Sequence, residues 1–214
     1  MAEQPYKAVL LFGAPGVGKG TQGKILGVIP GFHHVSTGEI FRALDKNSEL
    51  GKRVMSFSSH GELVPNDITL QVWAEHMAAQ VDAGKYRLDK DILLLDGLPR
   101  NIEQANLLDG YIDPMRVIHL AASDEDAMVE RLRRRAIKEK RADDANENLI
   151  RRRWDIYRAE TQPVLDHYPS DIITEIDAIG TPAEVLQRIL HDLVPMLSEQ
   201  FGNAFDTTEA ATKL

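Results

Sequence analysis

The chain has 214 residues, 43% of them apolar and 27% charged, and its net charge is −8. That length fits one domain, or one domain with a small insertion, and the balance excludes wholesale disorder and a multi-span membrane protein. With no cysteine anywhere, disulfides, thiolate metal sites and a cysteine nucleophile are excluded, and the acidic excess argues against general affinity for nucleic acid.

The start, MAEQPYKAVLLFG, has one Lys before a short apolar run that leads into a Gly-rich turn. This is not the layout of a secretory signal, and no apolar run approaches the roughly 18 residues of a membrane span. A cytoplasmic protein with no membrane partner is the expectation. Apolar, β-branched runs predict strands at Ala8 to Phe12, Ile92 to Leu95, Val117 to Leu120 and Ile172 to Ile176, with a weaker one at His33 to Val35. Helical patterns run over 19 to 28, 37 to 46, 48 to 60, 67 to 82, 101 to 109, 124 to 138, 144 to 166 and 182 to 200. Their alternation predicts an α/β fold, a parallel sheet flanked by helices in three layers. Caps are expected at Asn66, at Ser123 with Asp126 three residues on, and at Thr181 before Pro182. The end, Gly202 to Leu214, is polar and aperiodic and reads as a tail.

The first strand runs straight into GAPGVGKGTQ, Gly13 to Gln22. Glycines at this spacing let successive backbone N–H groups point into one cavity at a helix N-terminus, and Lys19 reaches the β and γ phosphates. Gly16, Val17, Gly18, Lys19, Gly20 and Thr21 are therefore expected around a nucleotide triphosphate. Gly20 stands where the general pattern has Ser or Thr, with the hydroxyl one later at Thr21, so a metal-organising carboxylate is sought elsewhere. Asp96, closing the strand Ile92 to Leu95, lies at the carboxyl edge of the sheet and is expected to hold Mg2+ through water.

Charge is uneven. Between Arg131 and Arg153 stand ten Lys and Arg against four Asp and Glu, a local +6 that leaves −14 on the remainder. Such an island suits a small anionic ligand, although charge runs are also commonly solvated helix faces. The seven histidines are scattered, without an HExxH pair, and read as structural or solvated.

Three further segments, STGEIFR (Ser36 to Arg42), DGLPRNIEQ (Asp96 to Gln104) and RRRAIKEKRADD (Arg133 to Asp144), resemble those of the nucleoside monophosphate kinases, and specifically of adenylate kinases. The resemblance runs from about Tyr6 to about Leu193. It implies a phosphotransferase that passes the γ-phosphoryl group of MgATP to AMP, giving two ADP. Arg42 and Arg100 would grip the AMP phosphate, and Thr37, Leu63, Val64, Gly97 and Gln104 would line the rest of its site. Arg131 would lie against the donor adenine, and Gly180 would belong to the same ATP site. Arg135, one turn from Arg131 on the same helix face, would contact the transferring group together with Arg141. The family's last catalytic arginine, which also reaches AMP, falls on Arg152 counting from Asp143 and Asp144 and on Arg153 counting from Tyr157 and Thr161; Arg153 is preferred and Arg152 stays open.

Only AIKEK separates Arg135 from Arg141, so the resemblance is to short-lid forms, with no zinc. The implied plan is one kinase domain over 1–200, with an acceptor-binding segment at about 37–66 and a short lid at about 132–143, followed by the tail 201–214. A monomer acting on ATP, AMP and ADP is expected. The rival is a UMP/CMP kinase, which typically has Ala and Asn where this chain has Thr37 and Gln104; a P-loop switch or motor ATPase and a catalytically silent nucleotide binder are further alternatives.

Overall fold

The structure, a computed structural model, describes residues 4–139 and 146–201, with side chains through Ser198. Five strands form one parallel sheet in the order β2-β3-β1-β4-β5. They are β1 (Tyr6–Gly13), β2 (Phe32–Ser36), β3 (Ile92–Asp96), β4 (Ile112–Ala121) and β5 (Ile173–Asp177). The helices are α1 (Lys19–Leu26), α2 (Thr37–Ala43), α3 (Glu49–Ser58), α4 (Asn66–Asp82), α5 (Ile102–Leu108), α6 (Glu125–Glu139), α7 (Glu147–Ile156) and α8 (Pro182–Phe201).

Side chains along β1 alternate between two cores. Val9 and Leu11 join one with α6, α7 and α8 through Leu132, Ile150 and Ile189, while Ala8, Leu10 and Phe12 join the other with Trp73 and Met77 of α4. Both faces are thus covered, and for that reason the central strands read as continuous apolar runs rather than alternating ones. A smaller core of Val54, Val64, Ile68 and Val72 packs α3 against the start of α4.

Three expectations are corrected. β4 begins at Ile112, earlier than Val117, because a register shift opposite Ala8 and Val9 accommodates Pro114, which lacks the N–H a regular ladder needs. The helix expected over 144–166 is not continuous: α7 ends at Ile156, a π turn follows at Tyr157–Thr161, and a 3-10 segment runs over Gln162–His167. Pro163 removes a donor there and restrains the residue before it. The caps also differ. Asn66 is the first residue inside α4 after Pro65, and Asp124, not Ser123, accepts the Ala127 N–H at 2.9 Å. Thr181 does cap α8, reciprocally with Glu184: its Oγ1 accepts the Glu184 N–H at 3.3 Å and Glu184 Oε2 accepts the Thr181 N–H at 2.7 Å.

Candidate active site

The parallel arrangement gathers every strand's C-terminal end on one edge, and β1 and β3, which carry the phosphate loop and Asp96, are hydrogen-bonded neighbours with Leu11 opposite Asp96. A crevice outside the carboxyl ends of such strands is where α/β sheets bind ligands. Between β1 and α1 the loop turns through left-handed backbone at Gly18, φ 109°, where a side chain would be strained and would meet the Arg131 guanidinium at 3.3 Å. Arg131 of α6 therefore lies over the loop. Val17 contributes only its backbone, since its side chain is buried in the core beneath, and Thr21 is exposed.

Lys19 donates to the carbonyls of Gly13 at 2.6 Å and Ala14 at 3.1 Å, spanning its own loop. Removal from water lowers its pKa to about 8; Arg100, Arg153 and Arg135 push it the same way, and Asp96 alone opposes them. The arginines act on each other as well: burial and Arg153 bring Arg100 down to about 10, with Arg42 adding to the effect and Asp96 against it. The structure thus brings Arg100, Arg135, Arg153 and Asp96 within electrostatic reach of Lys19, and Arg42, Arg153 and Asp96 within reach of Arg100. Cationic groups gathered in a partly dry cleft suit a polyphosphate.

Asp96 sits where a Cβ on Gly20 would meet its Oδ2 at 3.6 Å. That is ordinary van der Waals contact, so the space itself does not exclude a side chain at 20. The other neighbour of Asp96 is the buried Nε2 of His34 at 3.9 Å, and burial holds the imidazole below its ordinary pKa. One carboxylate beside a phosphate loop fits Mg2+, which takes few protein oxygens and keeps water and phosphate oxygens as its other ligands. No group of three or more His, Asp or Glu among the described residues could hold a metal by itself.

Thr37, buried at the start of α2, donates its hydroxyl toward the carbonyls of Gly97 at 2.9 Å and Asp96 at 3.3 Å. Gly97, φ 84°, has no room for a side chain: a Cβ would lie 2.8 Å from Thr37 Oγ1 and 3.0 Å from Arg100 Nη2. Arg100 is held by its Nε donating to Gly97 O at 2.8 Å, and its own carbonyl accepts Thr161 Oγ1 at 2.8 Å. Leu63 and Val64, with Phe57, Asn66 and Arg152, border a hollow of about 800 Å³. Gln104 is almost wholly buried, its Oε1 accepting the Arg100 N–H at 2.7 Å. Across the sheet, Gly180 lies just before α8, whose Pro182 carbonyl accepts Gln22 Nε2 of α1 at 3.0 Å, so the start of α8 borders the phosphate-loop helix.

The two arginines left open part company. Arg153 faces Lys19 and Arg100, and the backbone of Gly61 passes so close that a Cβ there would be 3.4 Å from Arg153 Cγ. Arg152 turns to the surface and pairs with Glu62 at 2.6 Å. Arg141 lies outside the described residues. Sequence reasoning missed the partners that hold these groups: His34, Asn66, and His119, whose Nε2 meets Tyr157 Oη at 2.9 Å and whose Nδ1 meets Glu175 at 3.2 Å. That last chain ties the turn after Arg153 to the sheet. Nothing in local spacing signals such contacts, since they join residues 38 and 56 positions apart.

A parallel sheet with a phosphate loop at its switch point and converging arginines defines a P-loop phosphotransferase of the α/β class. A family model described as Adenylate kinase matches residues 11–173. Relatives named adenylate kinase include one from Thermus thermophilus, 36% identical over 189 residues covering 86% of this chain and 95% of the relative. Another from Nocardia farcinica is 36% identical, covering 86% and 98%, and one from Corynebacterium aurimucosum is 40% identical, covering 85% and 96%. The chain belongs to the adenylate kinase family.

Proposed function

We propose that the chain catalyses reversible transfer of the γ-phosphoryl group of MgATP to AMP. An oxygen of the AMP phosphate forms the new bond to the γ phosphorus while the bond to the β,γ-bridging oxygen breaks, and both products are ADP. The observation that carries this reading is that Arg100, Arg135, Arg153 and Asp96 all lie within electrostatic reach of Lys19 in the phosphate loop. Little covalent chemistry is required of the protein, because such transfers proceed through positioning and neutralisation of charge on the moving group.

In this reading Gly16, Gly18, Lys19, Gly20 and Thr21, with the Val17 backbone, cradle the donor phosphates, Arg131 borders the adenine, and Gly180 belongs to the same ATP site. Arg42 and Arg100 grip the AMP phosphate, with Arg153 turned toward the transferring group. Thr37, Leu63, Val64, Gly97 and Gln104 shape the acceptor site. Arg135 and, beyond the described residues, Arg141 close over the reacting phosphates from the lid at about 132–143, which keeps water from competing with AMP. Mg2+, held near Asp96 through water, would neutralise β and γ oxygens; no zinc enters. A monomer working in the cytoplasm completes the proposal; the chain has no cysteine, and no helix among the described residues is long and apolar enough to cross a membrane.

The choice of AMP rests on Thr37 and Gln104, since a glutamine amide offers the one donor and one acceptor that adenine's edge requires. A coupled assay of ADP formation from ATP with AMP, UMP, CMP and GMP supplied separately tests it. AMP is expected to exceed the others by about a hundredfold or more in kcat/KM. Comparable rates with UMP or CMP would promote the pyrimidine-kinase alternative.

A further inference from the structure

Three amides meet where α4 begins. Asn66 Oδ1 accepts from Asn101 Nδ2 at 3.1 Å and from Gln104 Nε2 at 2.9 Å, and Asn66 Nδ2 donates to Glu103 Oε2 at 2.7 Å. The ends of this network leave little choice of orientation. The Arg100 backbone N–H can only donate, so Gln104 turns Oε1 toward it at 2.7 Å and Nε2 toward Asn66. The Gln104 backbone N–H donates to Asn101 Oδ1 at 2.8 Å, which aims the other end of the Asn101 amide at Asn66. The Glu103 carboxylate supplies an acceptor, which selects the Asn66 amide nitrogen on that side. Each amide is oriented by a group that does not exchange roles.

We propose that Asn66 is a specificity-determining residue, which together with the Arg100 backbone N–H locks the Gln104 amide in one of its two flip states and thereby sets the choice of a 6-aminopurine over a 6-oxopurine as acceptor. The inference rests on the reading of Gln104 as the base-contacting amide. In its locked state Gln104 keeps one lone pair on Oε1 and one N–H on Nε2. Adenine offers an amino donor beside a ring-nitrogen acceptor; guanine and hypoxanthine reverse the order, with a carbonyl acceptor beside an N–H donor. The phosphate grip of Arg42 and Arg100 fixes which end of the base edge faces which amide atom, so the base has no freedom to turn over and compensate. A locked amide therefore matches the first pattern and opposes the second, whereas an amide free to flip serves both. Because Gln104 is nearly fully buried, a mismatched pair there stays unsolvated and unsatisfied.

The test compares kcat/KM for AMP, GMP and IMP at saturating MgATP. In Asn66→Ala the AMP-to-GMP ratio is expected to fall by about tenfold or more, through a rise in the AMP KM rather than a loss common to both nucleotides. In the pair Asn66→Asp with Glu103→Gln an oxygen still accepts from Gln104 and a new amide replaces the lost donor, so the ratio is expected to return to near the wild-type value. Asn101→Asp keeps the helix cap but presents an acceptor to Asn66, and it reads the same lock should Asn66→Ala melt too early to assay. An unchanged ratio in these single variants, or a loss in the paired variant as deep as in Asn66→Ala, would overturn the lock. Wild-type enzyme that accepts GMP as readily as AMP, or a Gln104→Leu variant that keeps full preference for AMP, would instead overturn the reading of Gln104 beneath it.

Discussion

Lys19 shows how burial and charge set the behaviour of a single residue. Its ammonium is partly withdrawn from water and surrounded by guanidinium groups, so the free enzyme releases that proton near pH 8 rather than in the ordinary lysine range. A depressed lysine pKa means that the folded state binds fewer protons than the unfolded one between about 8 and the ordinary value, so this residue opposes folding most below pH 8 and less as pH rises. Bound phosphates act in the opposite sense and favour the charged form. The kcat/KM for MgATP is therefore expected to decline as pH passes about 8, while kcat, set by the nucleotide-bound enzyme, holds to higher pH; superimposable profiles would contradict this. Lys19→Met, which keeps the length and removes the charge, is expected to lower turnover by about a hundredfold or more with the fold intact by circular dichroism. For the adjacent arginines, Arg153→Ala is expected to cost about a hundredfold in kcat/KM, and Arg152→Ala, which breaks an exposed pair with Glu62 at the rim of the hollow, less than about fivefold. Steady-state kinetics on both variants decides, and the reverse order would move the catalytic role to Arg152.

The elements were legible in the sequence where local pattern alone determines them. β1 and β3 are covered on both faces, so their apolar runs stand out, and the loop from Gly13 to Lys19 follows from its own spacing. The Thr181 cap was legible too, because a reciprocal Thr181 and Glu184 pair is a local device. Removing it in Thr181→Ala is expected to cost about 1 kcal/mol, seen as a fall in Tm of about 2–4 °C; an unchanged melting curve would show that α8 is held by packing alone. What escaped was set by tertiary contact. The break at Tyr157 coincides with its hydrogen bond to His119 of β4, and Asn66 trades a capping role for the part-buried amide network at the start of α5. Arg152 and Arg153 could not be separated by counting because one residue on a helix is a rotation of about 100°, and only the packing of α7 decides which of the two faces the cleft.

At the scale of the molecule, the fold keeps its charges apart. An acidic body carries a basic stretch of sequence from Arg131 to Arg153, and the sheet delivers the phosphate loop, Asp96 and Arg100 to the edge near which Arg131, Arg135 and Arg153 lie. The cations gathered there suit a site that must take two nucleotides and hold their phosphates in line, which is a stronger demand than binding one triphosphate. It follows that the enzyme should accept ADP at both positions and run the transfer backward. The direct measurement supplies ADP as the only nucleotide, with Mg2+, and follows products by chromatography or phosphorus resonance. The account predicts ATP and AMP appearing in equal amounts without inorganic phosphate, until both directions balance. Release of phosphate with AMP accumulating alone, or no turnover of ADP while ATP is consumed, would contradict it.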